Sequence, residues 1–292
     1  MDSFLSVIIP TFKDWQRLEL CLDALNVQVL PRDKFEIIVV NNDPNHLSSL
    51  DGRYLEEVTL LQEGKPGSYA ARNTGIKHAK GDILVFTDSD CIPQPNWLKN
   101  LYEKFLLDPG VQRIGGKVEI LLSDQPKPSE WFDRIFAFQQ KRNVSEGFSV
   151  TANFACRKAL FEENGMFWDN VFSGEDRGWN LRVSQAGVPL IYAEDCVVLH
   201  PARSKEESLI KVRRIYGKNY QRKHKSKPVW QRLVNGLFQL RPPITEWGVA
   251  ANSPLIKGNF NKVLLLVFIY QRRLTEFQEH YRLLFGGNEI RT

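Results

Sequence analysis

GDILVFTDSDCIP, residues 81–93, contains a continuous apolar run followed by two carboxylates. The run 83–86 is long enough for a buried strand and too short for most helices. Asp88 and Asp90 are therefore expected at the carboxyl end of a strand, where open α/β sheets bind ligands. If the backbone stays extended there, side chains two residues apart point the same way, so both carboxylates face one spot. Hard cations such as Mg²⁺ prefer these oxygen ligands, although Asp and Ser are also common in solvated turns.

Strands and helices are predicted to alternate on both sides of this segment. Apolar or β-branched runs predict strands at 4–10, 36–40, 58–61, 111–122, 150–155, 190–193 and 196–199. Helical spacing and end signals predict helices at 14–27, 68–79, 96–107, 129–141, 157–164 and 173–186. This alternation predicts an α/β fold with a mostly parallel central sheet flanked by helices.

Composition indicates an ordinary globular protein of 292 residues, with 42% hydrophobic residues, 25% charged residues and a net charge of +5. No apolar run approaches the roughly 20 residues that a membrane helix needs, and the N-terminus has no basic flank typical of a signal peptide. The four cysteines are scattered without a Cys-x-x-Cys pair, which argues against a zinc site. Cys21, Cys156 and Cys196 have apolar neighbours and are expected in the core. A cytoplasmic protein is the expectation.

The turn after the first predicted strand argues against two common classes of nucleotide-binding protein, the Rossmann and P-loop classes. Residues 10–14, Pro-Thr-Phe-Lys-Asp, contain none of the glycines of a Rossmann or P-loop fingerprint, so a bound nucleotide needs metal and side chains. A nucleotidyltransferase of related sheet topology is an alternative, but it would carry a glycine-rich basic loop here. A non-enzymatic nucleic-acid-binding protein leaves Asp88 and Asp90 unexplained, because carboxylates repel phosphate unless a metal intervenes.

Six motifs follow one another in a recognisable order. They are SVIIPTF at 6–12, EIIVVNND at 36–43, ARNTG at 71–75, DSD at 88–90, GED at 174–176 and His200. Together they resemble a family 2 glycosyltransferase with a GT-A fold over about residues 4–203. The resemblance implies transfer of a sugar from a nucleotide diphosphate donor, with Mn²⁺ or Mg²⁺ and inversion at the anomeric carbon.

The resemblance also assigns metal and catalytic roles. Asp90, and less directly Asp88, would hold the cation, and His200 matches a late metal ligand. Asp176 matches the base that takes the proton of the acceptor hydroxyl, and Glu175 would orient the base or the acceptor. An ordinary acid in the first turn of a helix would explain Asp176 too, and a strand end would explain His200.

Nucleotide-sugar contacts are implied along the same strand ends. They fall on Pro10, Thr11, Asn41, Asp43, Arg72, Asp88 and Ser89. The guanidinium of Arg72 suits a diphosphate because its fork binds two oxygens at once, whereas Arg182 has a basic counterpart in the family that can be structural. Many relatives carry Asp where this chain has Asn41, so the nucleotide base of the donor is not determined by this position. Uridine is expected, with thymidine and guanosine as alternatives.

The predicted division of the chain is a catalytic domain at 1–203 and a helical extension at 204–292. The first comprises a nucleotide-binding half at about 1–110 and an acceptor half at 111–203. Aromatic residues within 131–138 fit either a substrate pocket or core packing.

Two long helices are predicted in the extension, at 204–225 and 261–285. The first carries a basic face that fits an anionic membrane surface or a solvated face: Lys211, Arg214, Lys218, Arg222 and Lys225. The apolar stripe of the second fits packing on the first helix or on a second subunit in a homodimer. Gln271-Arg272-Arg273-Leu274 superficially resembles the Gln-x-x-Arg-Trp of processive synthases, but Trp is absent. The expected activity is therefore transfer of a single sugar from a UDP-sugar to a hydroxyl of a saccharide or lipid-linked acceptor in cell-surface glycan synthesis.

Overall fold

A computed structural model describes residues 3–43, 45, 50–224 and 226–288, with the side chains of 218, 219 and 221–224 left aside. The strands are β1 (Leu5–Thr11), β2 (Phe35–Asn41), β3 (Thr59–Gln62), β4 (Ile83–Phe86), β5 (Ile92–Pro93), β6 (Arg113–Leu121), β7 (Phe154–Arg157) and β8 (Ile191–Pro201). The helices are α1 (Trp15–Asn26), α2 (Gly52–Leu55), α3 (Ser68–His78), α4 (Trp97–Leu107), α5 (Pro128–Phe136), α6 (Gln140–Ser145), α7 (Ala159–Asn164), α8 (Glu175–Gln185), α9 (Lys205–His224), α10 (Val229–Leu237), α11 (Ile244–Asn252) and α12 (Asn259–Leu284).

The described strands form one mixed sheet in the order β3-β2-β1-β4-β7-β6-β8-β5. β1 pairs in parallel with β2 and β4, and β2 pairs in parallel with β3. The pairs β4–β7, β6–β7 and β5–β8 are antiparallel. The predicted α/β fold is confirmed, and its parallel part is the β3-β2-β1-β4 half of the sheet.

Apolar side chains cover both faces of this sheet. Along β1, Val7 and Ile9 join one buried cluster while Ile8 joins another, as expected for a strand buried on both sides. The four cysteines are free and buried, in agreement with the core positions predicted for Cys21, Cys156 and Cys196.

Several element boundaries differ from the sequence predictions. The helix predicted at 129–141 is two helices, α5 and α6, because the chain breaks at Phe138, whose φ is +50°. The strands predicted at 190–193 and 196–199 are the single strand β8, which places His200 inside the strand. The strand predicted at 150–155 begins as a 3₁₀ turn, Thr151–Asn153.

Asn153 links the strands around β8 from a fully buried position. Its amide nitrogen donates to the carbonyl oxygens of Lys117 at 2.8 Å and Cys196 at 2.9 Å. Its amide oxygen accepts the indole N–H of Trp97 at 2.9 Å. A Cβ added to Gly116 would lie 2.5 Å from this amide, so the glycine of the predicted Gly-Gly break is needed for close approach.

The chain divides into two compact units, 1–119 with 138–201, and 120–137 with 202–292. The sheet core belongs to the first. The sequence-based division at residue 203 stays a prediction, and the observed second unit includes the segment 120–137 that carries α5.

In the second unit, α12 packs on α9, α5, α10 and α11. The aromatic residues of α5 belong to this helical core, with the rings of Phe132 and Phe268 6.0 Å apart, which favours packing over a pocket. His280 of α12 joins two neighbouring helices, because its ring nitrogens lie 2.7 Å from the Tyr216 hydroxyl and 2.7 Å from the Arg232 carbonyl. Of the predicted apolar stripe of α12, Leu266 packs against this core, and the hydroxyls of Tyr270 and Tyr281 donate to the carbonyl oxygens of Leu240 and Leu233. Packing of the stripe on a second subunit stays a prediction. Among the described helices, none is long and apolar enough to cross a membrane.

Replacing Asn153 by Ala is predicted to lower the free energy of unfolding by about 3 kcal/mol or more, because it leaves several buried polar groups without partners. Urea unfolding measures this change. The control Asn170→Ala removes the same side chain from an exposed position and should stay within about 0.5 kcal/mol of the parent. Equal stability of the two variants would contradict the linking role of Asn153.

Candidate active site

The segment after β4 is a tight turn. The backbone N–H of Cys91 donates to the carbonyl of Asp88 at 3.1 Å, so the chain is not extended between Asp88 and Asp90. The prediction that both carboxylates face one spot because the backbone is extended is therefore wrong in its premise. The two side chains have different partners, Arg72 for Asp88 and His200 for Asp90.

Strand pairing brings Asp90 to His200. Directly after the turn, β5 pairs with β8, with Ile92 opposite Leu199. The Oδ2 atom of Asp90 lies 3.4 Å from Nε2 of His200, although the two residues are 110 positions apart in the sequence. The imidazole is buried, with 3% of its side chain exposed, whereas the Asp90 side chain is 23% exposed.

The hydrogen bond at Nδ1 determines which tautomer a neutral His200 ring adopts. Nδ1 lies 2.6 Å from the carbonyl oxygen of Pro201, which can only accept, so Nδ1 carries the proton. The Phe138 ring packs on the imidazole with centroids 4.5 Å apart. In a neutral ring, the Nε2 lone pair then faces a carboxylate oxygen. A cation bound by both atoms would remove the repulsion between them. Metal-binding histidines typically donate their other ring N–H to a carbonyl or carboxylate in this way.

Asp90, Cys91 and His200 offer ligand atoms that lie within 4.8 Å of one another. Cys91 is fully buried, and burial, followed by the charges of Asp90 and Asp88, raises the pKa of its thiol. A neutral thiol is a poor ligand, so Asp90 and His200 are the better donors. One carboxylate oxygen and one imidazole nitrogen can therefore serve as two ligands of a divalent cation.

Arg72 connects the turn to helix α3. Its side chain is 4% exposed and Nη2 donates to Oδ1 of Asp88. The guanidinium carbon also lies 5.5 Å from the centroid of the Tyr69 ring, one helical turn earlier on the same face. Asp88 and Tyr69 therefore hold the guanidinium at the edge of the sheet.

Tyr69 in turn contacts the start of α8. Its hydroxyl accepts from the backbone N–H of Glu175 at 3.0 Å and donates to Oδ1 of Asp176 at 3.2 Å. Burial, and then the Asp176 charge, raise the pKa of the Tyr69 phenol, so it stays protonated and donates. A continuous path of contacts thus runs from Asp88 through Arg72 and Tyr69 to Asp176.

Glu175 and Asp176 occupy different environments despite being neighbours. Glu175 is buried, and its Oε1 accepts from the backbone N–H of Trp168 at 3.1 Å and from Nη1 of Arg182 at 2.7 Å. Asp176 is only half-buried. Glu175 therefore anchors the helix start and the preceding loop, and Arg182 is its partner.

At the ends of β1 and β2, two buried polar atoms lack a hydrogen-bond partner among the described residues: Oγ1 of Thr11 and Oδ2 of Asp43. The Lys13 ammonium lies 3.9 Å from the latter. Thr11 is opposite Asn41 in the β1–β2 register, and the backbone N–H of Asn42 donates to the Thr11 carbonyl at 2.8 Å, so both orphaned atoms belong to the same edge of the sheet. Orphaned polar atoms at the carboxyl edge of a parallel sheet are suited to a polar ligand.

The other predicted contact residues lie along this edge. Pro10 is buried in β1 opposite Val40, and Oδ1 of Asn41 accepts the backbone N–H of Asp43 at 3.0 Å. Ser89 donates to Oδ2 of Asp14 at 3.2 Å. These contacts shape the loops around Thr11 and Asp43.

Three residues around the site were missed by sequence reasoning. Tyr69 bridges Arg72 and Asp176 as described, and its spacing of three from Arg72 was a usable signal. Asn42 binds the Glu63, Lys65 and Gly67 backbone, and Asn73 exchanges two hydrogen bonds with the backbone of Phe167. A side-chain amide that clamps a distant loop has no local sequence signature.

A cleft of about 800 Å³ lies beside the loop that Asn73 clamps. It is lined by residues 164–170 together with Asn73, Lys77 and Arg182. The carboxylates predicted for metal binding and catalysis are not among these lining residues.

The model of the family described as glycosyl transferase family 2 matches residues 6–165, more than half of the chain. Glycosyltransferase AglE of Haloferax volcanii is 34% identical over 73% of this chain and 71% of its own length. A dolichyl N-acetyl-α-D-glucosaminyl phosphate 3-β-D-2,3-diacetamido-2,3-dideoxy-β-D-glucuronosyltransferase of Methanococcus voltae is 23% identical over 74% of this chain and 72% of its own length.

Solved structures agree on the fold. Mannosyltransferase PcManGT from Pyrobaculum calidifontis, in complex with GDP-Man and Mn²⁺, superposes with a TM-score of 0.61 at 21% identity, covering 99% of this chain and 89% of the other. Residues 1–349 of S. aureus TarS give a TM-score of 0.56 at 17% identity, covering 98% and 93%. The predicted GT-A fold is confirmed, and the chain belongs to glycosyl transferase family 2.

Proposed function

We propose that the protein transfers a single sugar, with inversion and metal dependence, from a UDP-sugar to a hydroxyl of a saccharide or lipid-linked acceptor in cell-surface glycan synthesis. The observation that carries the proposal is the path Asp88–Arg72–Tyr69–Asp176, which joins the carboxylate turn to a half-exposed carboxylate on another helix. Donor and acceptor groups can then be held at fixed positions relative to each other.

Asp90 and His200 would hold the divalent cation, Mn²⁺ or Mg²⁺. Such a cation supplies Lewis-acid stabilisation of the charge that develops on the departing nucleotide diphosphate. Mn²⁺ in the complex of PcManGT supports this choice. Asp88 contributes by orienting Arg72, whose guanidinium would contact the diphosphate once the donor is present.

Asp176 is assigned as the general base. Its Oδ1 already accepts from Tyr69 and from the backbone N–H of Arg177, which orient the carboxylate while it stays partly open to solvent. Glu175 is buried and bound by Arg182, so it is poorly placed to act as a covalent nucleophile. One base and direct attack by the acceptor hydroxyl lead to inversion.

The orphaned atoms of Thr11 and Asp43 are assigned to the nucleoside. A carboxylate only accepts hydrogen bonds, so Asp43 suits the ring N–H of uracil, thymine or guanine. Structural neighbours were solved with GDP-Man and with UDP-GlcNAc, which supports uridine and guanosine, and thymidine stays a further alternative. Pro10, Asn41 and Ser89 shape this donor site.

The proposed class of acceptor is supported by the name of one relative. The name of the Methanococcus voltae relative specifies a dolichyl-linked sugar phosphate, which supports a lipid-linked saccharide as acceptor. The division into a catalytic domain at 1–203 and an extension at 204–292, and a cytoplasmic location, remain parts of this proposal.

Chelation tests the metal. EDTA should abolish sugar transfer, and Mn²⁺ or Mg²⁺ should restore it. Asp90→Ala should weaken donor binding at least about tenfold, because the phosphates lose their link to the protein through the cation. Calorimetric titration with UDP and Mn²⁺ measures this, with the exposed Asp124→Ala as a control. Full transfer activity in EDTA would refute the metal role.

Asp176→Asn tests the base. The amide keeps the size of the carboxylate but cannot take up the proton, so turnover should fall about 10²- to 10⁴-fold while donor affinity changes little. Both quantities are measured on one preparation. Turnover within a few-fold of the parent would exclude Asp176 as the base, and a collapse of donor affinity would move it into the donor site.

Tyr69→Phe tests the orientation of that base. Phe keeps the ring beneath Arg72 but removes the hydroxyl, so turnover should drop about tenfold while the KM for the donor stays within about twofold. Steady-state kinetics separate the two values. The control Tyr192→Phe removes a hydroxyl from β8 and should retain parent kinetics. A donor KM that rises with no loss of turnover would contradict the orienting role.

A further inference from the structure

Helix α10 of the second unit turns an apolar stripe to solvent. Trp230, Leu233, Val234 and Leu237 have the spacing of one helical face, and each is exposed, Trp230 by 63% and Leu237 by 57%. Phe238, directly after the helix, is 58% exposed. These five side chains are called the α10 stripe below.

The opposite face of α10 is the one that packs. Gly236 is buried, and a Cβ at that position would lie within 3 Å of the Tyr281 and His280 rings of α12. The carbonyl oxygens of Arg232 and Leu233 also accept hydrogen bonds from these two rings. The orientation of α10 is thus set by a glycine contact, and its apolar face is left outward. Contiguous apolar surface of this kind marks a site of interaction.

A second outward stripe lies at the start of α12. Phe260, Val263 and Val267 share one helical face and are 73%, 53% and 51% exposed. Ile244, at the start of α11, is 74% exposed. The same helical unit therefore presents apolar side chains from three successive helices.

The segment of sequence that contains the α10 stripe carries charge of one sign. Residues 208–245 contain ten lysines and arginines and no aspartate or glutamate. Lys227 and Arg241, both exposed, precede and follow the stripe in the chain. An apolar helix face with aromatic side chains and a basic surround is typical of helices that lie in the interface of an anionic bilayer.

We propose that the second unit docks on an anionic lipid bilayer through the α10 stripe, with α10 lying in the plane of the interface and the flanking cations contacting lipid phosphates. The basic face of α9, expected from the sequence to serve the same role, stays a prediction. Lys225 of that face and the side chains of Lys218 and Arg222 lie outside the described residues. Lys211 of that face is half-buried, and burial, followed by the Arg203 charge, lowers its pKa to about 7.

A second copy of the chain is the competing occupant of the α10 stripe. Two copies would bring identical basic surrounds together, and like charges at close distance oppose association. An anionic bilayer offers apolar depth together with opposite charge, so both features of the surface are complementary to it.

Flotation with vesicles tests this docking surface. The full chain should bind vesicles of phosphatidylcholine and phosphatidylglycerol in equal parts, and bind vesicles of phosphatidylcholine alone more weakly. Added salt should weaken binding to the mixed vesicles, because screening shortens the reach of the cations to about 10 Å at 0.1 M. The triple variant Trp230→Gln, Leu237→Gln and Phe238→Gln should reduce binding at least about tenfold.

The control Val27→Gln with Leu107→Gln removes apolar side chains that are 64% and 82% exposed in the first unit, and it should bind like the parent. Thermal melting and light scattering of each variant show whether it is folded and monomeric, and Phe238→Gln alone replaces the triple variant if that unfolds. Unchanged vesicle binding by the folded variant would overturn the proposal. So would a parent dimer that the variant dissociates while neither protein binds vesicles, which would assign the stripe to a second copy.

Discussion

The site depends on a short antiparallel pairing at the edge of the sheet. Two residues of β5 pair with β8 immediately after the turn at Asp88, and this pairing places the Asp90 carboxylate against Nε2 of His200. The Pro201 carbonyl accepts a hydrogen bond from Nδ1–H, so in a neutral ring the Nε2 lone pair faces a carboxylate oxygen. In the fold, Asn153 secures this region, because its buried amide ties β8 to β6 and to Trp97 of α4. The Asp90 carboxylate and the His200 nitrogen are therefore suited to bind a cation together.

An ion pair, a cation–π contact and a hydrogen bond connect the other polar residues at this edge of the sheet. Asp88 does not share one point with Asp90, because the turn between them directs Asp88 to Arg72. The Arg72 guanidinium lies over Tyr69, and the Tyr69 hydroxyl holds Asp176. The group suited to a diphosphate and the group suited to accept a proton are therefore linked by direct contacts, and the turn at 88–91 joins them in the chain to the Asp90–His200 pair. Membership of glycosyl transferase family 2 gives this linkage its chemical meaning as transfer of a sugar.

Features set by local interactions were predictable from the sequence, whereas features set by contacts between distant segments were not. The buried strands at 4–10, 36–40 and 83–86 were predictable because each is a continuous apolar run. The ordered motifs identified the residues of the candidate site, because the family places similar chemistry at the same strand ends. The break at Phe138, the clamps made by Asn42 and Asn73 and the bridge made by Tyr69 depend on contacts between distant segments. The outward face of α10 was equally hidden, because its amphipathic pattern does not say which face is buried, and the contact of Gly236 with α12 decides it.

Pulsed EPR of bound Mn²⁺ tests the pairing of Asp90 and His200 most directly. The protein is prepared with ¹⁵N-labelled histidine and measured with Mn²⁺ and UDP. We expect a ¹⁵N hyperfine coupling from one imidazole nitrogen, which disappears in His200→Gln and persists in the variant of an exposed histidine, His78→Gln. Bound Mn²⁺ without any ¹⁵N coupling in the parent protein would show that His200 is not a ligand and would contradict the proposed metal site.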